Sequence, residues 1–160
     1  MLEVENLTVT YGKLNVVEDL SFSVRAGEWL MIVGPNGAGK STTINAVSGG
    51  APYRGRICFD GQNVAALKPS EAAKCMGVLS QAHSTGYGFT VEEVVRLGRY
   101  AYIKNVFSDI DPDGGQKVEE ALALTGMTAL RHQSVLTLSG GELQRTFLAQ
   151  LFAQDPRLLL

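Results

Sequence analysis

Two cysteines, two histidines and one tryptophan among 160 residues leave little material for several common chemistries. Cys58 and Cys75 have neither metal-ligand nor redox-motif spacing, so they read as reduced, buried or semi-buried thiols and argue against a disulfide framework. His83 and His132 stand alone and read as surface or loop residues. No stretch approaches the roughly 18 apolar residues of a membrane span, and the N-terminus alternates charges where a signal peptide is apolar. That pattern predicts a cytoplasmic chain. Fourteen basic residues against sixteen acidic ones give a net charge of −2. With no basic run or stripe, nothing points to direct contact with nucleic acid. Repeats and low-complexity segments are also missing. Charged residues, at 19%, fall below the usual figure of about 25%, which favours extensive buried or interface area. The length predicts one domain with a sizeable core.

Glycine is plentiful, and its placement is specific. Residues 34 to 41 read Gly34-Pro35-Asn36-Gly37-Ala38-Gly39-Lys40-Ser41. The preceding apolar run, Glu28 to Val33, is too short for a normal helix and predicts a buried parallel strand. Gly34, Gly37 and Gly39 allow backbone angles closed to other residues and remove side chains that would hold an anion off the main chain. Ser41 to Val47 continue as a helix, with Ile44 and Val47 at core spacing and Gly49 and Gly50 ending it. The positive end of that helix faces the loop. Lys40 supplies a mobile charge for β- and γ-phosphates, and the Ser41 hydroxyl is placed to ligate a Mg²⁺ ion bridging them.

Residues 138 to 145 read Leu138-Ser139-Gly140-Gly141-Glu142-Leu143-Gln144-Arg145. Ser139 with Glu142 makes a capping box, and Leu143, Phe147, Leu148 and Leu151 follow at helical spacing. Capping accounts for Ser139 and Glu142. It does not account for two glycines in a first turn, each costing roughly 1 kcal/mol against alanine. Open amides at Gly140 and Gly141, with the Ser139 hydroxyl as a further donor, predict a second anion-binding turn. One triphosphate needs one cradle per subunit, so the pair predicts a site completed by two subunits.

These two segments, in this order and at this separation, resemble the Walker A loop (Gly34 to Ser41 with Thr42) and the signature motif (Leu138 to Arg145) of the ATP-binding cassette of ABC transporters. The resemblance runs from Leu2 to Leu160. It implies an α/β fold: a P-loop NTPase core with a mixed sheet and an antiparallel β layer, plus an inserted helical subdomain. It also implies ATP and Mg²⁺ as ligands and a head-to-tail pair of cassettes, in which the signature of one closes on the γ-phosphate held by the other. By the same resemblance the ATP-contacting set is Gly34, Pro35, Asn36, Gly37, Ala38, Gly39, Lys40, Ser41 and Thr42 from the first motif, and Ser139, Gly140, Gly141, Glu142 and Gln144 from the second. Tyr11 is similar to the aromatic that stacks on adenine, where a π-face gives affinity with little base selection, and Val16 follows it in that set. Gln81, after Gly77-Val78-Leu79, resembles the Q-loop glutamine and would join Ser41 at the metal. Lys40, Gln81, Ser139 and Gly141 are the residues expected to act in turnover.

The segment Asp155 to Leu160 resembles the start of the Walker B strand. The aspartate and glutamate that follow in the family are not among these residues, and His83 and His132 lie too early to be its switch histidine. The given residues are therefore expected to be about the first two-thirds of a cassette and to bind ATP better than they hydrolyse it.

The expected organisation is an ATP-binding core and β layer over 1–81, a helical subdomain over 82–137, and the signature helix with the start of a strand over 138–160. Strands are predicted at Leu2 to Val9, Val16 to Val24 and Arg56 to Asp60. Thr90 with Glu93 caps a helix carrying Val91, Val94 and Val95, and Asp111-Pro112 opens another through Val118, Ala121, Leu122 and Ala123 to Gly126. In the family such a subdomain receives a coupling helix from the membrane permease. Phe89 to Arg99 resembles the branch serving iron–siderophore, haem and cobalamin importers. That implies an importer ATPase at the cytoplasmic face of the membrane, with permease subunits and a substrate-binding protein as partners. A soluble cassette protein of translation or DNA repair, a non-hydrolysing ATP-binding remnant, and a P-loop kinase or GTPase are the alternatives.

Overall fold

A bulge at Asn6 explains how the first strand keeps one face in the core. Leu2 and Val4 are even in number whereas Leu7 and Val9 are odd, yet all four are buried. Strict alternation would turn the second pair outward. The register of the strand shifts between Val4 and Leu7, with Asn6 at φ 51° and Asp19 at φ 49°, and Asn6 Nδ2 donates to Asp19 Oδ1 at 2.6 Å. The extra residue restores the inward phase.

The computed structural model describes residues 1–80, 88–103 and 111–160. Strand β1 (Leu2–Tyr11) turns through Gly12 into β2 (Leu14–Val24). Next come helix α1 (Lys40–Val47) and strands β3 (Arg54–Phe59) and β4 (Gln62–Asn63), giving an antiparallel sheet in the order β2-β1-β3-β4. This is the expected antiparallel layer, with each strand within a few residues of its predicted bounds. On α1 the buried residues are Thr43, Ala46 and Val47, and Ile44 is only half-buried.

The run Glu28 to Val33 departs from expectation. It has no strand assignment, Trp29 is 98% exposed and Met31 82%. A strand exists only where a neighbour completes its ladder, and among the described residues none pairs with this segment. Hydrophobicity alone predicted a buried strand, but burial needs a partner.

Helix α2 (Pro69–Cys75) leads into β5 (Met76–Gly77). Helices α3 (Val91–Leu97), α4 (Gly114–Leu124) and α5 (Gly140–Gln154) follow, and β6 (Leu158–Leu159) pairs parallel with β5. The ladder extends to a bond from the Leu79 amide to the Leu160 carbonyl at 2.9 Å. Val91, Val94 and Val95 of α3, Val118, Ala121 and Leu122 of α4, and Ala149 and Ala153 of α5 share one core with Met127 and Val135. The predicted capping box at Thr90 and Glu93 is present. Ala123, on the same helix, is exposed.

The buried stripe of α5 also differs from the predicted one. Thr146, Ala149, Leu151 and Ala153 are buried, whereas Leu143, Phe147 and Leu148 are half-buried at its margin. Small residues line the seam because α3 ends against the α5 backbone, where a larger side chain would hold the helices apart. Chain contacts divide into two compact units, Met1–Ala72 and Ala73–Leu160. Among the described residues no helix is long and apolar enough to cross a membrane.

Candidate functional site

In the first unit the glycine-rich loop wraps its own lysine. Lys40 Nζ donates to the carbonyls of Gly34 and Pro35 at 2.8 and 2.7 Å, which curls residues 34 to 40 around the ammonium. The first intrahelical bond of α1 runs from the Thr43 amide to Gly39 O at 2.8 Å, and the Thr43 hydroxyl donates to the same carbonyl at 3.0 Å. The amides of Lys40, Ser41 and Thr42 therefore precede the helix ladder and are available as donors. Ser41 is exposed. No acidic residue lies between Gly34 and Val47, so the helix dipole, the open amides and the lysine all favour an anion. This donor set fits a polyphosphate, and the Ser41 hydroxyl is the group on the loop suited to a hard divalent cation.

Gly39 is the loop position with the least freedom. Its φ is +83°, and a Cβ there would stand 2.7 Å from the Val16 carbonyl oxygen and 2.9 Å from Val17 Cγ2. The loop is thus pressed against β2. That contact sets Val16 and Val17 beside the glycine-rich loop. Tyr11 lies at the end of β1 in the same hairpin, paired with Leu14, and is 51% exposed. Gly39→Ala is expected to destabilise the unit by about 1–3 kcal/mol through forced φ and steric clash, read as a lower melting temperature. Nucleotide affinity should fall with it.

The second motif lies in the other unit. Ser139 caps α5 and its hydroxyl accepts from the Glu142 amide at 3.4 Å. The Glu142 carboxylate in turn accepts from the Ser139 amide at 2.8 Å and from the Ser139 hydroxyl at 2.7 Å. These bonds hold the Glu142 carboxyl below the usual carboxylate range. The Ser139 proton, expected to serve an anion, is therefore engaged within the capping box. The amides of Gly140 and Gly141 precede the first helical bond, Leu143 N to Ser139 O, and a side chain at Gly140 would meet nothing within 4 Å. Backbone donors are the open groups of this turn. Gln144 is exposed on the following residues of α5. Gln81 and His83 lie outside the described residues, and His132 is exposed.

Sequence reasoning passed over a cluster at the far end of α5. Arg99 is 6% exposed. Its Nε and Nη2 donate to the Asp111 carboxylate at 2.7 and 3.1 Å, and its Nη1 donates to Ala153 O at 3.0 Å. The guanidinium lies 3.7 Å from the centroid of the Tyr102 ring. The Arg99 bonds hold the Asp111 carboxyl below its usual range, against the opposing effect of burial. The only sequence signal was the run Gly98-Arg99-Tyr100-Ala101-Tyr102, in which a glycine and an arginine interrupt an otherwise sound helix end.

A family description, ABC transporter, matches residues 17–160. The chain is 39% identical over 159 residues to YvrA of Bacillus subtilis, an uncharacterised ABC transporter ATP-binding protein, covering 99% of this chain and 36% of that one. It is 38% identical to the hemin import ATP-binding protein HmuV of Thermobifida fusca, covering 100% of this chain and 56% of that one. To the ferric enterobactin transport ATP-binding protein FepC of Escherichia coli it is 37% identical, over 98% of this chain and 58% of that one. The chain therefore spans about half the length, or less, of these curated relatives. Among solved structures, the ATP-binding subunit of an ABC transporter superposes with a TM-score of 0.84 at 28% identity, over 99% of this chain and 64% of that one. A bacterial Atm1-family ABC exporter with ATP bound gives 0.80 at 26% identity, over 99% and 28%.

Proposed function

Because the chain belongs to the ABC transporter family, as part of its ATP-binding cassette, we propose that it binds ATP with Mg²⁺ and that the protein carrying it hydrolyses ATP to drive import of a metal chelate through a membrane permease. The observation that carries the ATP reading is the loop closed on Lys40, with open amides at the head of α1 and no acidic residue within the segment from Gly34 to Val47. In this reading residues 34–42 hold the phosphates, Ser41 and Gln81 hold the metal, and Tyr11 and Val16 flank the base. Ser139, Gly140, Gly141, Glu142 and Gln144 meet the γ-phosphate bound by a second cassette. Mg²⁺ supplies charge neutralisation on the β- and γ-phosphates.

The division into a core over 1–81, a helical subdomain over 82–137 and a signature segment over 138–160 belongs to the same proposal. The subdomain then meets the permease at the cytoplasmic face, and a substrate-binding protein delivers cargo. An exporter shares this fold, so the fold does not set direction. Import, and an iron–siderophore, haem or cobalamin cargo, rest on the hemin and ferric enterobactin systems to which the sequence is similar.

The test is to reconstitute the full-length protein with its co-purifying permease in vesicles and follow ATP hydrolysis and cargo uptake together. The expected result is hydrolysis stimulated by a binding protein loaded with haem, ferric siderophore or cobalamin, with uptake that stops without ATP. Hydrolysis with no permease partner and no cargo response would overturn the transport reading. Failure to bind ATP would overturn the whole proposal.

A further inference from the structure

The two ends of α5 have different tasks. Its first turn carries Ser139, Gly140 and Gly141. Its last turn has carbonyls that the helix itself cannot satisfy, and here two of them are met by side chains from outside. Arg99 Nη1 donates to Ala153 O, and the Tyr102 hydroxyl donates to Gln154 O at 3.1 Å. The Gln154 side-chain amide donates to the carbonyls of Ala73 and Met76 at 2.5 and 2.9 Å, fastening the same turn to the end of α2 and the start of β5. Lys117 Nζ pairs with Asp155 at 2.9 Å.

Arg99 is central to this arrangement. Its side chain is 7% exposed and that of Asp111 12%, so water screens the pair little. The planar guanidinium uses one edge on Asp111, another N–H on the helix end, and one face on Tyr102, a combination an ammonium cannot reproduce. The preceding glycine shows that this placement depends on close approach. Gly98 is helical at φ −57°, so no unusual backbone angle requires glycine there. A Cβ at Gly98 would instead stand 2.2 Å from Gln150 O and 3.1 Å from Gln154 N. The end of α3 therefore touches the α5 backbone directly and delivers Arg99 over its C-terminus.

We propose that Arg99 is a positioning residue for ATP turnover, fixing the C-terminal end of α5 and so aiming the Ser139 to Gly141 turn at its other end. The inference rests on the reading of that turn as the one that meets the γ-phosphate. Fifteen residues at about 1.5 Å each make a lever of roughly 22 Å, so a tilt of about 5° at the clamp displaces the turn by roughly 2 Å. Misplacement by about 1 Å can cost about 10²-fold in rate. A loose clamp therefore reduces turnover without touching the Walker A loop.

The experiment compares wild type, Arg99→Lys and Asp111→Asn in the full-length protein. It measures kcat and KM for ATP, Kd for a fluorescent ATP analogue, and the melting temperature. Arg99→Lys keeps a cation at the helix end but loses the forked pairing and the flat stacking surface. The expected result is a kcat lower by on the order of 10-fold or more, with Kd within about twofold of wild type, measured well below the melting transition. Asp111→Asn, which leaves Arg99 in place with a weaker partner, is expected to fall between. Unchanged kcat in Arg99→Lys would overturn the proposal, whether or not the melting temperature drops, because it would leave Arg99 a purely structural role. A weaker Kd at unchanged kcat would overturn it as well. A wild-type protein that binds and hydrolyses no ATP would instead overturn the underlying functional reading, so the two failures are distinguishable.

Discussion

Replacing Lys40 by alanine is expected to weaken ATP binding by on the order of 10²- to 10³-fold, measured by titration with a fluorescent nucleotide. Hydrogen bonds from a charged donor contribute about 1.5–3 kcal/mol each, and an ammonium between two phosphates makes at least two. The loop loses its internal support as well, since Lys40 Nζ ties down the Gly34 and Pro35 carbonyls. The melting temperature should change little, because the loop residues from Gly34 to Ala38 are exposed and bury no core. Unchanged ATP affinity would show that residues 34–41 are not a phosphate loop. Lys40→Arg is the informative companion. It keeps the charge but presents a planar fork to a curl sized for a compact ammonium, and its affinity should be intermediate.

Ser139→Arg in the full-length protein is expected to leave ATP affinity within about twofold and to cut turnover by on the order of 10²-fold or more. Residues 34–42 lie in the other compact unit, and the substitution alters none of them. The bulk and the positive charge fall beside the open amides of Gly140 and Gly141, where the proposed function has a second cassette's nucleotide approach. Loss of the cap also costs about 1 kcal/mol of stability, so Ser139→Asn serves as the control. Asparagine caps helices as well as serine does and adds far less bulk than arginine and no charge. A normal ATPase rate in Ser139→Arg would refute a site shared between two cassettes. A loss in Ser139→Asn equal to that in Ser139→Arg would locate the requirement in the hydroxyl rather than in access to the amides. That second outcome has a specific physical meaning, because the hydroxyl proton is engaged with Glu142 at 2.7 Å and would have to leave it to reach a phosphate.

Some of this chain was legible residue by residue. The Thr90/Glu93 and Ser139/Glu142 capping boxes are local devices set by a spacing of three residues, and both are present. The glycine-rich loop was equally local: glycines, one lysine and a following helix fix its shape within a dozen residues. The β1–β2–β3 layer followed from apolar alternation, although the bulge at Asn6 that keeps Leu7 and Val9 buried left no pattern to read in advance.

What depends on distant partners was not legible. Glu28 to Val33 has the composition of a buried strand and lies exposed, since no described strand pairs with it. The buried face of α5 is made of Thr146, Ala149 and Ala153 with Leu151, while Leu143, Phe147 and Leu148 are only half-buried, and Gly98 lets α3 approach the α5 backbone at Gln150 and Gln154. The Arg99 clamp joins residues 12 and 54 positions apart, and no periodicity signals such a pairing. The sequence by itself therefore determined the short-range chemistry, the two glycine-rich turns and their caps, because those geometries close within one turn of chain. Only the tertiary structure decided which surfaces are buried and how the end of α5 is held, because burial and pairing are properties of two segments at once.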